Sequence, residues 1–129
     1  MTRAALERIL MVEDDPDIQA VARLSLERIG RFTLRVCPTG LDALAVAPTF
    51  KPQLILLDVQ LPELDGPQTL ARLRLLPALA DTPVIFLTAK SQVDEVLAYR
   101  KLGAADVITK PFDPRELPGR LRRFWDQLG

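Results

Sequence analysis

The sequence predicts a doubly wound α/β fold, in which helices cover both faces of a five-stranded parallel sheet. Three observations lead to this prediction. The segment Leu54–Leu57 is uninterruptedly apolar and branched, which is typical of a strand buried on both faces. Four other short apolar runs occur along the chain, and a segment of helical periodicity follows each run. Regular alternation of strands and helices favours parallel pairing with right-handed crossovers.

The apolar runs define the predicted strands. They are Ile9–Val12, Phe32–Val36, Leu54–Leu57, Val84–Leu87 and Asp106–Thr109.

The first two helices have clear signals at their ends. Asp15 precedes Pro16, so we expect Asp15 to be an N-cap with proline in the first helical turn. Gly30 ends this helix. The second helix begins near Gly40 and should end by Pro48, because proline lacks the backbone N–H that a helix interior needs.

The remaining helices are predicted from similar signals. The third runs from Gly66-Pro67 to about Leu76. We interpret Asp65-Gly66, at its start, as residues of a turn. Ser91 is a candidate cap for the fourth, which Gly103 ends. Asp113–Glu116 resembles a capping box that opens the last helix, with irregularity expected at Pro118 and Gly119. The inward residues expected for the fourth helix are Val93, Val96, Leu97 and Leu102.

Composition limits the possible functions. A length of 129 residues, 48% of them apolar, suits one domain over residues 1–129. The net charge is zero, so nothing indicates direct binding of nucleic acid. No apolar run is long enough to span a membrane. The single cysteine, Cys37, suits a reducing compartment, and we expect a cytoplasmic protein. The chain has no histidine, which excludes a histidine nucleophile, base or metal ligand.

Polar residues follow several of the predicted strands. Glu13 and Asp14 follow the first strand, Asp58 the third, Thr88 the fourth, and Lys110 the fifth. Ligands bind at the carboxyl ends of strands in such sheets. If the first and third strands are adjacent, the three carboxylates converge, and each must take up a proton or share a cation. Oxygen ligands without histidine or cysteine select a hard ion, and Mg²⁺ suits such a sparse site.

These motifs together resemble a response-regulator receiver domain of the chemotaxis-regulator type. The matching segments are Ile9–Asp14, Leu57-Asp58 followed by Pro62 and Asp65-Gly66, Leu87–Ala89, and Lys110–Phe112. The resemblance covers essentially the whole chain. It implies a (βα)5 flavodoxin-like fold with strand order 2-1-3-4-5.

The resemblance also implies a role for each matching site residue. Asp58 would accept the phosphoryl group. Asp14 would bind Mg²⁺ directly, Glu13 through water, and the backbone carbonyl of Gln60 would complete the protein ligands.

Two further residues of the family pattern would act on the phosphoryl group itself. Thr88 would donate a hydrogen bond to it, and Lys110 would pair with its charge. The Lys110-Pro111 peptide is expected to be cis, as in the family.

The sequence departs from the family pattern at two places. Val107 stands where many receivers carry an aromatic residue that turns inward on activation, so we do not expect the usual aromatic switch. Gln60 and Lys90 border the expected route of attacking water, and they leave the lifetime of an acyl phosphate open.

The function that the resemblance implies is a phosphorylation-activated switch of a two-component system. A histidine kinase or phosphotransfer protein would be the phosphodonor. The downstream target or output domain is absent from this chain, and the protein would be a monomer or a phosphorylation-dependent dimer. It would not be an enzyme, beyond promoting its own phosphorylation and dephosphorylation.

Three alternatives remain. The first is a constitutive receiver-like interaction module that phosphorylation does not regulate, which Val107 favours. The second is a phosphatase of the haloacid-dehalogenase type, disfavoured because Asp58 follows the third strand and Asp58-Val59-Gln60 lacks a second aspartate. The third is a flavodoxin-like nucleotide-binding module, disfavoured because no glycine-rich loop follows the first strand.

Overall fold

The sheet has the predicted class, direction and order. The computed structural model describes residues 4–89 and 93–128. All strand pairs are parallel, and the order is 2-1-3-4-5. The strands are β1 (Arg8–Val12), β2 (Thr33–Cys37), β3 (Leu54–Asp58), β4 (Val84–Thr88) and β5 (Asp106–Thr109).

Helices follow all five strands. They are α1 (Pro16–Arg23), α2 (Gly40–Phe50), α3 (Gly66–Arg74), α4 (Val93–Lys101) and α5 (Leu117–Gln127). A short 3₁₀ turn, Pro77–Leu79, follows α3. Helix α1 continues as a π-helix over Leu24–Ile29, and we call the whole of residues 16–29 the first helix. None of the helices in the described ranges has the length and apolarity needed to span a bilayer.

The sheet divides the core into two halves because side chains alternate along each strand. Leu10 and Val12 of β1 pack on one face, and Ile9 and Met11 pack on the other. Every residue of β3 and β4 is buried, which explains the uninterrupted apolar run from Leu54. Two packed layers hold the strand ends in place, and the site lies at these ends.

The beginning of the first helix is as predicted, whereas the end of α2 is not. The Asp15 carboxylate accepts a hydrogen bond from the N–H of Asp17, which confirms the N-cap. Helix α2 passes through Pro48 and ends only after Phe50. Ala43 and Ala47 on its inner face are fully buried. We attribute the continuation past proline to this packing, which offsets the cost of the missing N–H.

Helix α4 does not present the predicted face to the core. Val93, Leu97 and Leu102 are all more than half exposed. Of the four predicted inward residues, Val96 does pack against the core, and Tyr99, which was not predicted, packs there one helical turn later. The expected cap, Ser91, lies outside the described residues.

The last helix begins later than predicted. The Asp113 carboxylate accepts a hydrogen bond from the N–H of Arg115, which forms a local turn rather than a capping box. The helix starts at Leu117, so Pro118 falls in its first turn. Proline suits this turn because the N–H groups there have no partner within the helix.

Candidate functional site

The sheet register brings the acidic residues together. Val12 pairs with Leu57, so the residues that follow them, Glu13 and Asp58, emerge side by side. Asp58 in turn pairs with Leu87, the residue before Thr88. The N–H of Lys110 donates to the carbonyl of Thr88 at 2.8 Å, which brings the end of β5 to the same edge. The strand ends that carry Glu13, Asp58, Thr88 and Lys110 therefore meet at one edge of the sheet.

The Asp58 carboxylate is almost fully buried and held at both oxygens. Only 3% of the residue is exposed. Its Oδ1 accepts a hydrogen bond from the N–H of Gln60 at 3.1 Å, and its Oδ2 lies 3.1 Å from the ammonium of Lys110. These contacts fix the orientation of the buried carboxylate.

Glu13 is fully buried beside it. Its Oε1 accepts a hydrogen bond from Lys110 Nζ at 3.0 Å, and its Oε2 accepts one from the N–H of Asp15 at 3.2 Å. Burial nevertheless raises the pKa of Glu13 to about 7, with the Asp58 carboxylate adding to the effect and the two hydrogen bonds opposing it. Near neutral pH, Glu13 is thus poised between its protonated and charged forms.

Lys110 bridges the two buried carboxylates. Burial acts to lower the pKa of its ammonium, but the hydrogen bonds to Glu13 and Asp58 outweigh burial and leave the pKa raised. Lys110 therefore stays charged and partly neutralises this acidic pair. The Lys110-Pro111 peptide is cis, as predicted.

Asp14 completes an acidic cluster with the other two carboxylates. One carboxylate oxygen from each of Glu13, Asp14 and Asp58 lies within 4.8 Å of the others. Asp14 is exposed whereas its two neighbours are buried, so the cluster opens to solvent on the Asp14 side. The chemistry of these donors fits a hard divalent cation that keeps part of its water.

Thr88 and Gln60 lie where the sequence predicted. Thr88 is 3% exposed at the end of β4, one residue beyond the partner of Asp58. Gln60 is exposed and next to Asp58 through its N–H bond. The roles assigned to their side-chain hydroxyl and backbone carbonyl remain predictions. Lys90 lies outside the described residues.

Sequence reasoning missed the role of Gly66. A Cβ on this residue would lie 2.5 Å from the carbonyl oxygen of Asp58 and 2.8 Å from the Cα of Val59. The N–H of Gly66 donates to the carbonyl of Val59 at 2.9 Å. Its neighbour Asp65 caps α3 in a reciprocal capping box with Gln68. An aspartate three residues before a glutamine is a sequence signal for such a box, so this cap could have been predicted.

An apolar groove of about 400 Å³ adjoins the site. Its walls include Ile18 and Val21 of the first helix, and Pro111 and Phe112 of the segment after β5. Lys110, which bridges Glu13 and Asp58, also lines the groove.

Comparison with known proteins defines the class that this fold and site represent. The model of the response regulator receiver domain matches residues 9–122. The chain therefore belongs to the receiver domains of two-component response regulators, which are signalling modules rather than classical enzymes.

Similar proteins include transcriptional regulators and a chemotaxis protein. The chain is 41% identical to the phosphate regulon transcriptional regulatory protein PhoB of Pseudomonas aeruginosa, over 94% of this chain and 52% of that protein. It is 38% identical to the DNA-binding dual master transcriptional regulator RpaA of Synechocystis, over 91% of this chain and 48% of that protein. The chain thus spans about half the length of these relatives. Among solved structures, the chemotaxis protein CheY4 of Vibrio cholerae superposes with a TM-score of 0.85 at 26% identity, over 93% of this chain and 99% of that one.

Proposed function

We propose that this domain is a switch that is turned on when Asp58 accepts a phosphoryl group from a histidine kinase or phosphotransfer protein. The observation that carries the proposal is the Lys110 ammonium, which lies 3.0 Å from Glu13 and 3.1 Å from Asp58 within the acidic cluster. A lysine paired to a buried carboxylate beside a cation site is suited to phosphoryl transfer, which depends on positioning and on neutralising phosphoryl oxygens.

In the proposed reaction, a carboxylate oxygen of Asp58 forms a bond to phosphorus as the bond from phosphorus to the donor nitrogen breaks. The donor imidazole keeps the electron pair and takes up a proton from solvent. Lys110 stays charged beside the new acyl phosphate, and Thr88 donates a hydrogen bond to one of its oxygens. Each of these side chains acts on charge that develops at the phosphoryl group.

Mg²⁺ is the cation we propose for the cluster. Asp14 and Asp58 would hold it directly, Glu13 through water, and Gln60 through its carbonyl. When bound, the ion would neutralise charge on the phosphoryl oxygens. The absence of nitrogen and sulfur donors among these ligands favours a hard ion of this type.

The donor would dock on the groove beside Lys110. The walls formed by Ile18, Val21 and Phe112 are apolar and would pack against an apolar face of the donor. Docking there would bring the donor histidine close to Asp58, because Lys110 belongs to both the groove and the site.

Phosphorylation would change the surface around α4. The phosphoryl group adds charge and acceptor oxygens next to Thr88, at the end of the strand that precedes this helix. Converting a mostly inactive population to a mostly active one takes about 5 kcal/mol of differential stabilisation. The exposed Val93 and Leu97 would be available to a target, an output domain or a second copy in the active state.

Asp58→Asn tests the proposal. Incubation with Mg²⁺ and acetyl phosphate should add one phosphoryl group to the wild-type protein, detected by intact mass, and none to the variant. Asp126→Asn, on the exposed side of α5, is the matched control and should be labelled normally. Equal labelling of wild type and Asp58→Asn would contradict the assignment of Asp58.

A constitutive interaction module is the alternative, and Val107 is the observation that favours it. This side chain is already buried, with 8% exposure, and it packs in the core without an aromatic ring that could change position. The two functions differ in hydrogen exchange. A switch should show changed protection in α4 when beryllofluoride and Mg²⁺ are added, whereas a constitutive module should not.

A further inference from the structure

We infer that the first helix positions both members of the Glu13–Lys110 ion pair, through the side chains of Gln19 and Ser25. The inference deepens the proposed function, since it names two positioning residues for phosphoryl acceptance. Neither residue touches Asp58 in the contacts described above. Each acts on the backbone of a segment that carries a charged residue of the site.

Gln19 holds the backbone of Glu13. Its side-chain amide donates a hydrogen bond to the carbonyl oxygen of Glu13 at 2.6 Å. The N–H of Glu13 donates to the carbonyl of Cys37 at 3.0 Å. Both backbone polar groups of Glu13 are therefore paired, and the peptide planes on either side cannot rotate without breaking a hydrogen bond. The direction of the Glu13 side chain follows from this fixed backbone.

Ser25 holds the segment that carries Lys110. Ser25 is fully buried, and its hydroxyl donates a hydrogen bond to the carbonyl oxygen of Pro114 at 2.6 Å. The segment begins at Lys110, whose N–H is bound to the carbonyl of Thr88. Pro111 and Pro114 each have a restricted φ angle, so the backbone between these two anchors has fewer free torsions than a segment without proline. Fixing Pro114 therefore limits where Lys110 can lie.

A buried hydroxyl at this position is not what apolar packing alone would select. Ser25 lies beside Leu26 and one turn after Ala22, both fully buried in the same half of the core. Burying a hydroxyl is costly unless it is hydrogen-bonded. The bond to Pro114 satisfies the hydroxyl and joins the first helix to the segment after β5. The first helix is thus hydrogen-bonded to both backbone segments that carry the 3.0 Å ion pair between Glu13 and Lys110.

The two contacts have separable consequences. Glu13 belongs to the proposed cation site, so Gln19→Met should raise the Mg²⁺ concentration needed for half-maximal thermal stabilisation. Lys110 is not a proposed cation ligand, so Ser25→Ala should slow labelling of Asp58 by acetyl phosphate at saturating Mg²⁺ and should change the half-saturating Mg²⁺ concentration less than Gln19→Met does. Each effect should be about fivefold, the size expected when one hydrogen bond is lost.

The experiment measures three quantities on each variant of the 129-residue chain. They are the labelling rate by intact mass, the half-saturating Mg²⁺ concentration by thermal shift, and the free energy of unfolding in urea. Gln127→Met, an exposed site on α5, is the control for Gln19→Met. Ser25→Thr keeps a hydroxyl and should retain more of the labelling rate than Ser25→Ala. If Ser25→Ala does not fold, Gln19→Met decides the test, because Gln19 is only partly buried.

The result that would overturn the inference is a loss of stability alone, with labelling rate and Mg²⁺ requirement within about twofold of wild type. Such a result would show that the contacts are structural only. Failure of the proposed function looks different, because wild type itself would then be labelled no better than Asp58→Asn.

Discussion

Gly66 lies so close to the backbone of Asp58 that a Cβ atom on Gly66 would be 2.5 Å from the Asp58 carbonyl oxygen. The contact is with backbone on both sides, so no side chain can move to relieve it. The first turn of α3 therefore packs directly beneath the proposed phosphoacceptor.

Gly66→Ala should accordingly destabilise the protein by about 1 to 3 kcal/mol, as overpacking does, and should slow labelling of Asp58. Urea unfolding and intact mass measure the two effects. Gly119→Ala is the control, since its Cβ would meet only the end of the flexible Arg123 side chain, at 3.3 Å. Alanine is also the better helix former, so that variant should be at least as stable as wild type. Equal stability of the two variants would mean that α3 can shift away from Asp58 freely.

The raised pKa of Glu13 predicts a pH dependence of stability. Between its ordinary pKa of 4.5 and its native pKa of about 7, the folded protein holds a proton that the unfolded chain has released. Protonation thus favours the folded state, and this contribution is lost as the pH rises through the native pKa. In metal-free buffer, the free energy of unfolding should fall from roughly pH 5.5 to pH 8, above the range in which ordinary carboxylates titrate.

Glu13→Gln cannot release this proton, so its free energy of unfolding should vary less over that range. A decline as steep in Glu13→Gln as in wild type would assign the titration to another group. Mg²⁺ should also bind more tightly to wild type as the pH rises toward 7, because the cation competes with the proton on Glu13.

Removal of Lys110 should leave two buried carboxylates facing one another. The Lys110 side chain is 16% exposed and lies between Glu13 and Asp58. In metal-free buffer near pH 8, Lys110→Met should lose about 2 to 4 kcal/mol of stability, because a buried charge without its partner is costly. Urea unfolding with and without Mg²⁺ is the measurement, and the cation should restore part of the loss.

The same variant should be labelled by acetyl phosphate at least about tenfold more slowly, which corresponds to 1.4 kcal/mol in the barrier. Lys101→Met, exposed at the end of α4, is the control. If Lys110→Met were as stable and as rapidly labelled as this control, the bridge would have no role in either property.

The edge-on contact between Tyr99 and Phe86 should be the main anchor of α4. The two ring centroids are 5.3 Å apart at an interplanar angle of 86°. Helix α4 has no fully buried residue, so this ring contributes much of the apolar packing of the helix. Tyr99→Ala should cost about 2 kcal/mol and speed hydrogen exchange in α4.

Leu97→Ala is the matched control, because Leu97 is 53% exposed on the same helix. It should change stability by less than about 0.5 kcal/mol, as surface substitutions usually do. Equal effects of the two substitutions would indicate that α4 is held by some other contact.

The features that depend on local pattern could be predicted from the sequence. The runs beginning at Ile9 and Leu54 specified strands, because a strand buried on both faces needs consecutive apolar residues. The N-cap at Asp15 followed from an aspartate before a proline. The errors arose where tertiary packing, rather than local pattern, decided the outcome. Helix α2 continued past Pro48, and α4 packed the partly buried Tyr99 rather than Leu97 against the core, because packing against the sheet overrides local helix signals.

The residue types at the strand ends were thus determined by the sequence alone, and with them the class of chemistry available to the protein. The sequence predicted the sheet, and it also predicted that acidic groups, a threonine and a lysine follow the strands of that sheet. Only the tertiary structure decided which backbone and side-chain atoms meet. Gly66 against Asp58, Gln19 against Glu13, and Ser25 against Pro114 leave no signal in the sequence, since each depends on the exact approach of two elements. The raised pKa of Glu13 has the same origin, because desolvation comes from burial by the whole fold.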